Sequence, residues 1–369
     1  MTVVIPAKNE ETLIVRALAA FAEQRDDNGS RIDPRTFDVI VYCNDCNDET
    51  AARARGFARE VRDLTIHVID ARLPADAAHV GTARRNALEI AVRRYAEAGR
   101  PDGIVASTDA DSVVSAGWVS AMLREMRGVD AVAGSVSIDP RERDVMLAPQ
   151  RVLYDRELVY RRLIGIAEAR FDPRPFDPFP RHDTLVGANF ATTAWAYRRA
   201  GGLPPLPRLE DLAFAGALER IDARVRHTYE APVTTSARSI ARVDGGFGSF
   251  LAGLSTLGAN GDAYLVRPAR GIIEDATARA LARALRLGAL SEDGVDELVE
   301  LVAQPEAALR AAAAESRTFG AFWETVRSRA PQRNYPLEPV QAAIRALRGA
   351  SAERSPRVPT RNNVASGAG

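Results

Sequence analysis

The chain has 369 residues, and its 49 basic and 49 acidic side chains leave no formal net charge at neutral pH. That balance excludes a global field drawing the protein to nucleic acid or to an anionic membrane surface, so any anion site must be local. The length admits one large α/β domain with additions, or two domains sharing an interface.

The chain opens directly on the apolar run Val3-Val4-Ile5, without the basic and then hydrophobic pattern of a secretory signal. Nowhere do about 18 apolar residues follow one another, so no transmembrane helix is predicted either, and a cytoplasmic protein is expected. Through about the first 140 residues, short β-branched runs alternate with longer segments of helical period. That is the pattern of crossover units on a mainly parallel sheet. Strands are predicted near Val3–Pro6, Phe37–Tyr42, Leu64–Asp70, Ile104–Ser107 and Ala131–Ile138. Helices are predicted near Glu11–Glu23, Glu49–Glu60, Thr82–Ala98 and Ala116–Arg127. Ligands of such doubly wound sheets bind outside the carboxyl ends of the strands, so the residues just after each strand are the place to seek chemistry.

Beyond Pro149 the pattern changes to a long helix (Gln150–Ala169), a Pro- and Phe-rich loop (Phe171–Pro180) with the character of a lid, and a mixed segment ending near Arg242. From Gly271 to Gly349 the chain reads as amphipathic Ala/Leu/Arg helices, free to pack on the core or to pair in a homodimer. The expected organisation is a doubly wound half (1–140), a second half (141–240), a helical region (241–350) and a disordered tail (351–369). All basic residues except Lys8 are arginine, which carries no functional weight. The only cysteines, Cys43 and Cys46, lack a second Cys or His pair to complete a zinc site, and are read as unlinked thiols in a reducing compartment.

Four strand ends carry polar clusters. Pro6-Ala7-Lys8-Asn9-Glu10-Glu11 turns a strand into a helix opened by two acids, which also suit the dipole of a first turn. Asn44-Asp45-Cys46-Asn47-Asp48 follows the second strand; Asn47 or Asp48 also serves as an N-cap, whereas Asp45 has no such account. Gly81 with Arg84 and Arg85 opens a helix, where free N–H groups and positive charge suit a diphosphate. The sharpest cluster is Asp109-Ala110-Asp111. In extended chain residues i and i+2 face the same way, so the two carboxylates can share one hard cation, Mg²⁺ or Mn²⁺.

Together these segments resemble the family 2 glycosyltransferases of the nucleotide-diphospho-sugar (GT-A) fold, over roughly residues 2–240. The resemblance implies a metal-dependent transferase acting between a nucleotide-diphospho-sugar donor and a small-molecule or lipid-linked acceptor. Carried over, it places Pro6, Ala7, Glu10, Asp45 and Gly81 at the nucleotide, Arg85 near the diphosphate, and Asp109 and Asp111 at the ribose and metal. The second segment departs from the family, having Asn44-Asp45-Cys46-Asn47 where a double acid and Gly-Ser are usual. The resemblance extends to Gly187-Ala188-Asn189 in the acceptor site and to Glu210-Asp211 at its end, Asp211 being the expected base of an inverting enzyme. Glu210 and Asp211 equally open a helix and suit its cap. Ser236 and Arg238 are expected near phosphate, and His227 is considered as a third metal ligand, although a single His near a strand is more often structural.

The expected mechanism is single displacement. Other readings are a retaining transferase of the same fold, a sugar-phosphate nucleotidyltransferase, or a nucleotide-sugar-binding protein without catalysis. The nucleotidyltransferase reading lacks its glycine-rich phosphate loop after the first strand, and an NAD dehydrogenase reading lacks G-x-G-x-x-G there.

Overall fold

Six successive buried residues, Thr2–Ala7, form strand β1, and a run without exposed positions is stable in a strand covered on both faces. The computed structural model describes residues 1–237, 246–331, 333 and 335–352. After β1 come α1 (Ile14–Ala22), β2 (Asp38–Asn44), α2 (Thr50–Glu60), β3 (Ile66–Ala71), α3 (Val80–Glu97) and β4 (Ile104–Thr108). There follow β5 (Ser112–Val114), α4 (Trp118–Glu125), β6 (Ala131–Ile138), α5 (Pro140–Asp144) and the long α6 (Ala148–Phe171). β7 (Asn189–Thr193), α7 (Ala194–Arg199), α8 (Glu210–Arg220), β8 (Val225–Thr235) and α9 (Phe247–Asn260) complete this part.

The eight strands make one sheet in the order β3-β2-β1-β4-β7-β6-β8-β5. β3, β2, β1 and β4 run parallel, as do β6 and β8, in agreement with the expected doubly wound, mainly parallel sheet. β7 runs against both β4 and β6, and β5 runs against β8. β5, β7 and β8 were not among the predicted strands, being either very short or lodged in a segment without clean period. They decide the site, because their antiparallel sense returns Asn189 beside Thr108 and Thr235 beside Ser112 at one edge of the sheet.

One face packs Ile14, Leu18 and Phe21 of α1 with Trp118 and Met122 of α4. The other packs Ala83, Leu88 and Ala91 of α3 with Tyr197 of α7 and Phe214 of α8. Gly81, in the first turn of α3, lies under the Leu206 carbonyl, which stands where a Cβ would be. The side chain of His79 caps this helix by accepting from the Thr82 N–H (3.3 Å).

The chain forms two compact units. The first comprises Met1–Asp155, Pro180–Leu218 and Ala223–Asp262; the second comprises Arg156–Phe179, Glu219–Asp222 and residues from Ala263 onward. The second unit contains β9 (Leu265–Val266), α10 (Ala269–Arg286), α11 (Glu292–Val302), α12 (Glu306–Glu315), α13 (Phe319–Arg329), β10 (Glu338–Pro339) and α14 (Val340–Ala352), the helical region the composition announces. Its core joins Leu281 and Leu285 of α10 to Leu298, Leu309, Phe322 and Trp323. Within this unit the buried Asp172 meets Arg174 (3.0 Å), Arg279 (3.7 Å) and Arg283. Burial opposes its charge, but the guanidinium groups outweigh that and hold its carboxyl below the ordinary range. Of the expected tail 351–369, Ser351 and Ala352 end α14 instead, and the rest lies outside the described residues. No helix among the described residues is long and apolar enough to cross a membrane.

Candidate active site

β1, β2 and β4 end on one edge, and each passes into a polar turn. Asn9 and Asp45, just past β1 and β2, adopt left-handed backbone (φ 54° and 51°), which short polar side chains tolerate better than most. The two turns tie to each other: Asn9 Oδ1 accepts from the Asn47 N–H (3.0 Å), Asp48 from the Glu11 N–H (3.2 Å), and Glu11 from the Glu49 N–H (3.0 Å). Asp48 also accepts from the N–H and hydroxyl of Thr50 (3.0 and 2.5 Å), so it serves the turns and the start of α2. Pro6 and Ala7 are buried in β1, and the buried Glu10 donates its N–H to Thr50 Oγ1 (2.7 Å).

Asp45 stands out chemically. Its Oδ1 accepts from the Leu73 N–H (3.1 Å), while its buried Oδ2 has no hydrogen-bond partner among the described residues. Nor has Nδ2 of Asn44, the last residue of β2. An unsatisfied buried polar group costs about 1–3 kcal/mol, so a pair of them at a strand end is an arrangement suited to a bound polar ligand. Cys43 and Cys46 are free and buried; the Cys46 thiol donates to the Ala7 carbonyl (3.5 Å). Hydrogen bonding from Cys43 holds Cys46 down at about 7 and pushes Cys43 itself up.

At the end of β4 the organising residue is Arg84, only 3% exposed. Its Nη1 donates to Ser107 Oγ (2.9 Å), to Asp109 Oδ1 (3.0 Å) and to the Gly187 carbonyl (2.7 Å). Its Nη2 also reaches Asp109 Oδ1 (3.0 Å), and its Nε donates to Glu210 Oε1 (3.2 Å). Burial works against the charge of Arg84, but Asp109, Glu210 and Asp211 outweigh it and raise its pKa. Burial likewise pushes Asp109 above the ordinary carboxylate range, with Asp111 and Glu210 adding to the effect and Arg84 opposing it.

Asp111 is half-buried, with the hydroxyls of Ser112 and Thr235 each 3.4 Å from its Oδ1. Among the described residues no three His, Cys, Asp or Glu side chains gather as a complete metal cage. Asp109–Ser112 is a turn closed by the Ser112 N–H on the Asp109 carbonyl (3.1 Å), not the extended chain the sequence suggests, and Arg84 already engages Asp109 Oδ1. The edge still offers two neighbouring carboxylates, a donor set with which Mg²⁺-type sites are completed by substrate phosphate and water. The residues therefore fit a hard cation that arrives with a phosphorylated ligand.

At the start of α8, Asp211 Oδ2 accepts from the Gly187 N–H (2.9 Å) and Oδ1 from the Leu212 N–H (2.8 Å). Asp211 is half-buried and Glu210 buried, so of the two carboxylates Asp211 is the accessible one. Leu209 just before them has φ 55°, and Leu209 and Leu212 are 58% and 63% exposed. Ala188 lies half-buried between Gly187 and Asn189.

Several expected residues fall elsewhere. Asn189 is fully buried, and its amide is committed: Oδ1 accepts from Trp118 Nε1 (2.9 Å), while Nδ2 donates to the Ser135 and Ala231 carbonyls (2.8 Å each). It braces the sheet and has no group left for an acceptor. Arg85, one residue and about 100° around α3 from Arg84, donates to the Leu203 carbonyl (3.0 Å) and faces Glu89 (3.7 Å). The close approach that the missing side chain of Gly81 permits is that of the Leu206 carbonyl.

His227 lies opposite Ala133, whereas Thr235 lies opposite Ile138 at the Asp111 end. Five residues of β6, about 16 Å, separate these positions, so His227 is not a ligand of a cation at Asp111; its ring meets that of His182 instead (5.4 Å). Ser236 donates its hydroxyl to Glu142 (2.9 Å), and Arg238 lies outside the described residues. Sequence reasoning missed Thr235, and it named Arg84 only with Arg85 as charge suited to a diphosphate. For Arg84 the signal was present in the Arg84-Arg85 pair, but only the rotation of α3 tells which of the two turns inward.

The model of Glycosyl transferase family 2 matches residues 2–199. No match was found among curated protein sequences. Among solved structures, a mannosyltransferase from Pyrobaculum calidifontis in complex with GDP-Man and Mn²⁺ is similar at 20% identity over 95% of this chain and 85% of that one, with TM-score 0.46. Staphylococcus aureus TarS 1–349 in complex with UDP is similar at 14% identity over 92% and 94%, with TM-score 0.44. Glucosyl-3-phosphoglycerate synthase from Mycobacterium tuberculosis, in complex with Mn²⁺, UDP and phosphoglyceric acid, is similar at 15% identity over 72% and 82%, with TM-score 0.36. With the family model covering more than half of the chain, on the doubly wound sheet and strand-end clusters described above, the chain belongs to glycosyltransferase family 2.

Proposed function

We propose that this glycosyltransferase moves the sugar of a nucleotide-diphospho-sugar onto an acceptor hydroxyl by single displacement with inversion, in the presence of Mg²⁺ or Mn²⁺. The observation that carries the reading is the meeting of two clusters far apart in sequence, Asp109–Asp111 and Glu210–Asp211, through one buried guanidinium at the carboxyl edge of the sheet. Donor chemistry and acceptor chemistry need a common locus, and the shared guanidinium supports this one.

In this reading the turns after β1 and β2 receive the nucleoside. The unpartnered Oδ2 of Asp45 accepts a base or ribose donor, and the buried Glu10 borders the same turn. Asp111, with Asp109 beside it, would hold the divalent cation, which when bound neutralises charge growing on the leaving diphosphate. Asp211, fixed by two backbone N–H groups and still holding lone pairs, takes the proton of the acceptor hydroxyl as it attacks the anomeric carbon. Glu210 is buried against Arg84, which supports Asp211 rather than Glu210 as the base.

Thermal stabilisation by GDP- and UDP-sugars, with and without Mn²⁺, tests the donor class. A cation-dependent rise in midpoint for one of them is expected. Stabilisation by none, or equal stabilisation with chelator present, would count against the proposal.

A further inference from the structure

We infer that Arg84 is a positioning residue of the transfer reaction, a buried strut that fixes the Asp211 carboxylate from behind; the inference rests on the role proposed above for Asp211. Arg84 sits on α3, away in sequence from everything it holds, and all three nitrogens of its guanidinium donate: Nε to Glu210, Nη2 to Asp109, and Nη1 shared among Asp109, Ser107 and the Gly187 carbonyl. The path to Asp211 is short. Nη1 holds the carbonyl of Gly187, and the N–H of the same Gly187 holds Asp211 Oδ2. Glu210 is pinned through Nε, so the two residues that open α8 are restrained by one planar group.

Gly187 gives independent support. A Cβ built there would lie 2.7 Å from Arg84 Cζ and 2.8 Å from Nη2, so the guanidinium packs against a residue where any side chain would force one of the two to move. Such contact is not required to neutralise Asp109 and Glu210; it fixes the distance between guanidinium and the Gly187 peptide. Ser107 accepts from the same nitrogen and donates its own hydroxyl to the same carbonyl (3.0 Å), closing a ring on one side of Gly187 while the N–H on its other side, in the preceding peptide, faces Asp211. Arginine's rigid fork suits that task, and lysine, whose three N–H donors radiate from one nitrogen, cannot span acceptors held by three separate nitrogens.

The test has one arm without ligand and one with. Hydrogen exchange on the full chain compares wild type with Arg84→Lys, which keeps the charge. Faster exchange is expected in peptides covering 185–189 and 210–213, with β1 and β2 unchanged. Unchanged exchange at 185–189 overturns the inference, and a uniform rise across the sheet shows a merely structural role and overturns it equally.

The second arm is a double-mutant cycle on hydrolysis of UDP-glucose and of GDP-mannose with Mn²⁺, water standing in for the acceptor. Arg84→Lys should lower kcat about 10–100-fold with donor KM within about twofold, and should cost little more in an Asp211→Asn background. Losses that multiply would mean that Arg84 acts elsewhere, through Asp109 or through stability, and the inference falls. If Asp211→Asn alone leaves hydrolysis unchanged, it is the base assignment that fails, a result separable from the exchange data. If neither donor turns over, the exchange arm decides by itself.

Discussion

The guanidinium of Arg84 occupies the space a side chain at Gly187 would fill, 2.7 Å from the position of its Cβ. A helix residue and a loop residue 103 positions apart are thereby fitted to each other, and the bond from Nη1 to the Gly187 carbonyl is the visible consequence. Gly187→Ala should displace one of the two. Overpacking of this kind costs about 1–3 kcal/mol, and the displaced peptide should carry the Asp211 carboxylate with it. The expected outcome is a lower melting midpoint together with slower transfer at unchanged donor affinity. A variant that melts earlier yet transfers normally would show that the fit serves stability alone.

Asp111→Asn removes one charge from the carboxylate pair at the edge while keeping shape. Calorimetric titration of the donor with Mn²⁺ should show at least about a tenfold loss of cation-dependent affinity, since a hard cation prefers a charged oxygen ligand. Equal affinity in variant and wild type would remove Asp111 from the cation site.

Asn189→Ala tests the reassignment of that residue from acceptor binding to bracing. Truncation leaves Trp118 Nε1 and the Ser135 and Ala231 carbonyls without their partner, costing about 3 kcal/mol. Urea unfolding should show the loss, while acceptor KM in the folded fraction stays near wild type. A large rise in acceptor KM without loss of stability would restore the acceptor role.

Asp172 gives a prediction in pH. Its folded carboxyl is held below the ordinary range by Arg174, Arg283 and Arg279 despite burial, so its stabilising contribution is present above the unfolded pKa of about 3.9 and is lost as pH falls through the folded value. At pH 7, Asp172→Asn should cost about 1–3 kcal/mol, because the half-buried guanidinium groups of Arg174, Arg279 and Arg283 lose the carboxylate they share. Amide exchange in α10 should show that gap at neutral pH and a narrowing gap below about pH 4. A gap independent of pH would mean that packing, not charge, sets the cost.

Much of the fold was legible because local physics fixed it. The apolar runs Val3–Pro6 and Ile104–Ser107 declare buried strands whatever surrounds them, and the helix Thr82–Ala98 emerges as Val80–Glu97. Sequence alone also set the chemistry of the strand ends, since Asp45 and the pair Asp109–Asp111 follow strands whose carboxyl ends must share an edge in a doubly wound sheet. It could not set long-range pairing. β7 begins at the polar Asn189 and β8 carries exposed Tyr229 and Glu230, so neither shows a clean two-residue period. Only the sheet puts Thr235 at Asp111 and seats the Asn189 amide among Trp118, Ser135 and Ala231. The choice between Arg84 and Arg85 was likewise tertiary: adjacent helix residues point about 100° apart, and which one turns inward depends on where α3 lies against the sheet. The sequence determined which residue types end the strands, because strand and turn preferences are local. The tertiary structure decided which of them meet, because a hydrogen bond spanning more than a hundred residues is set by packing.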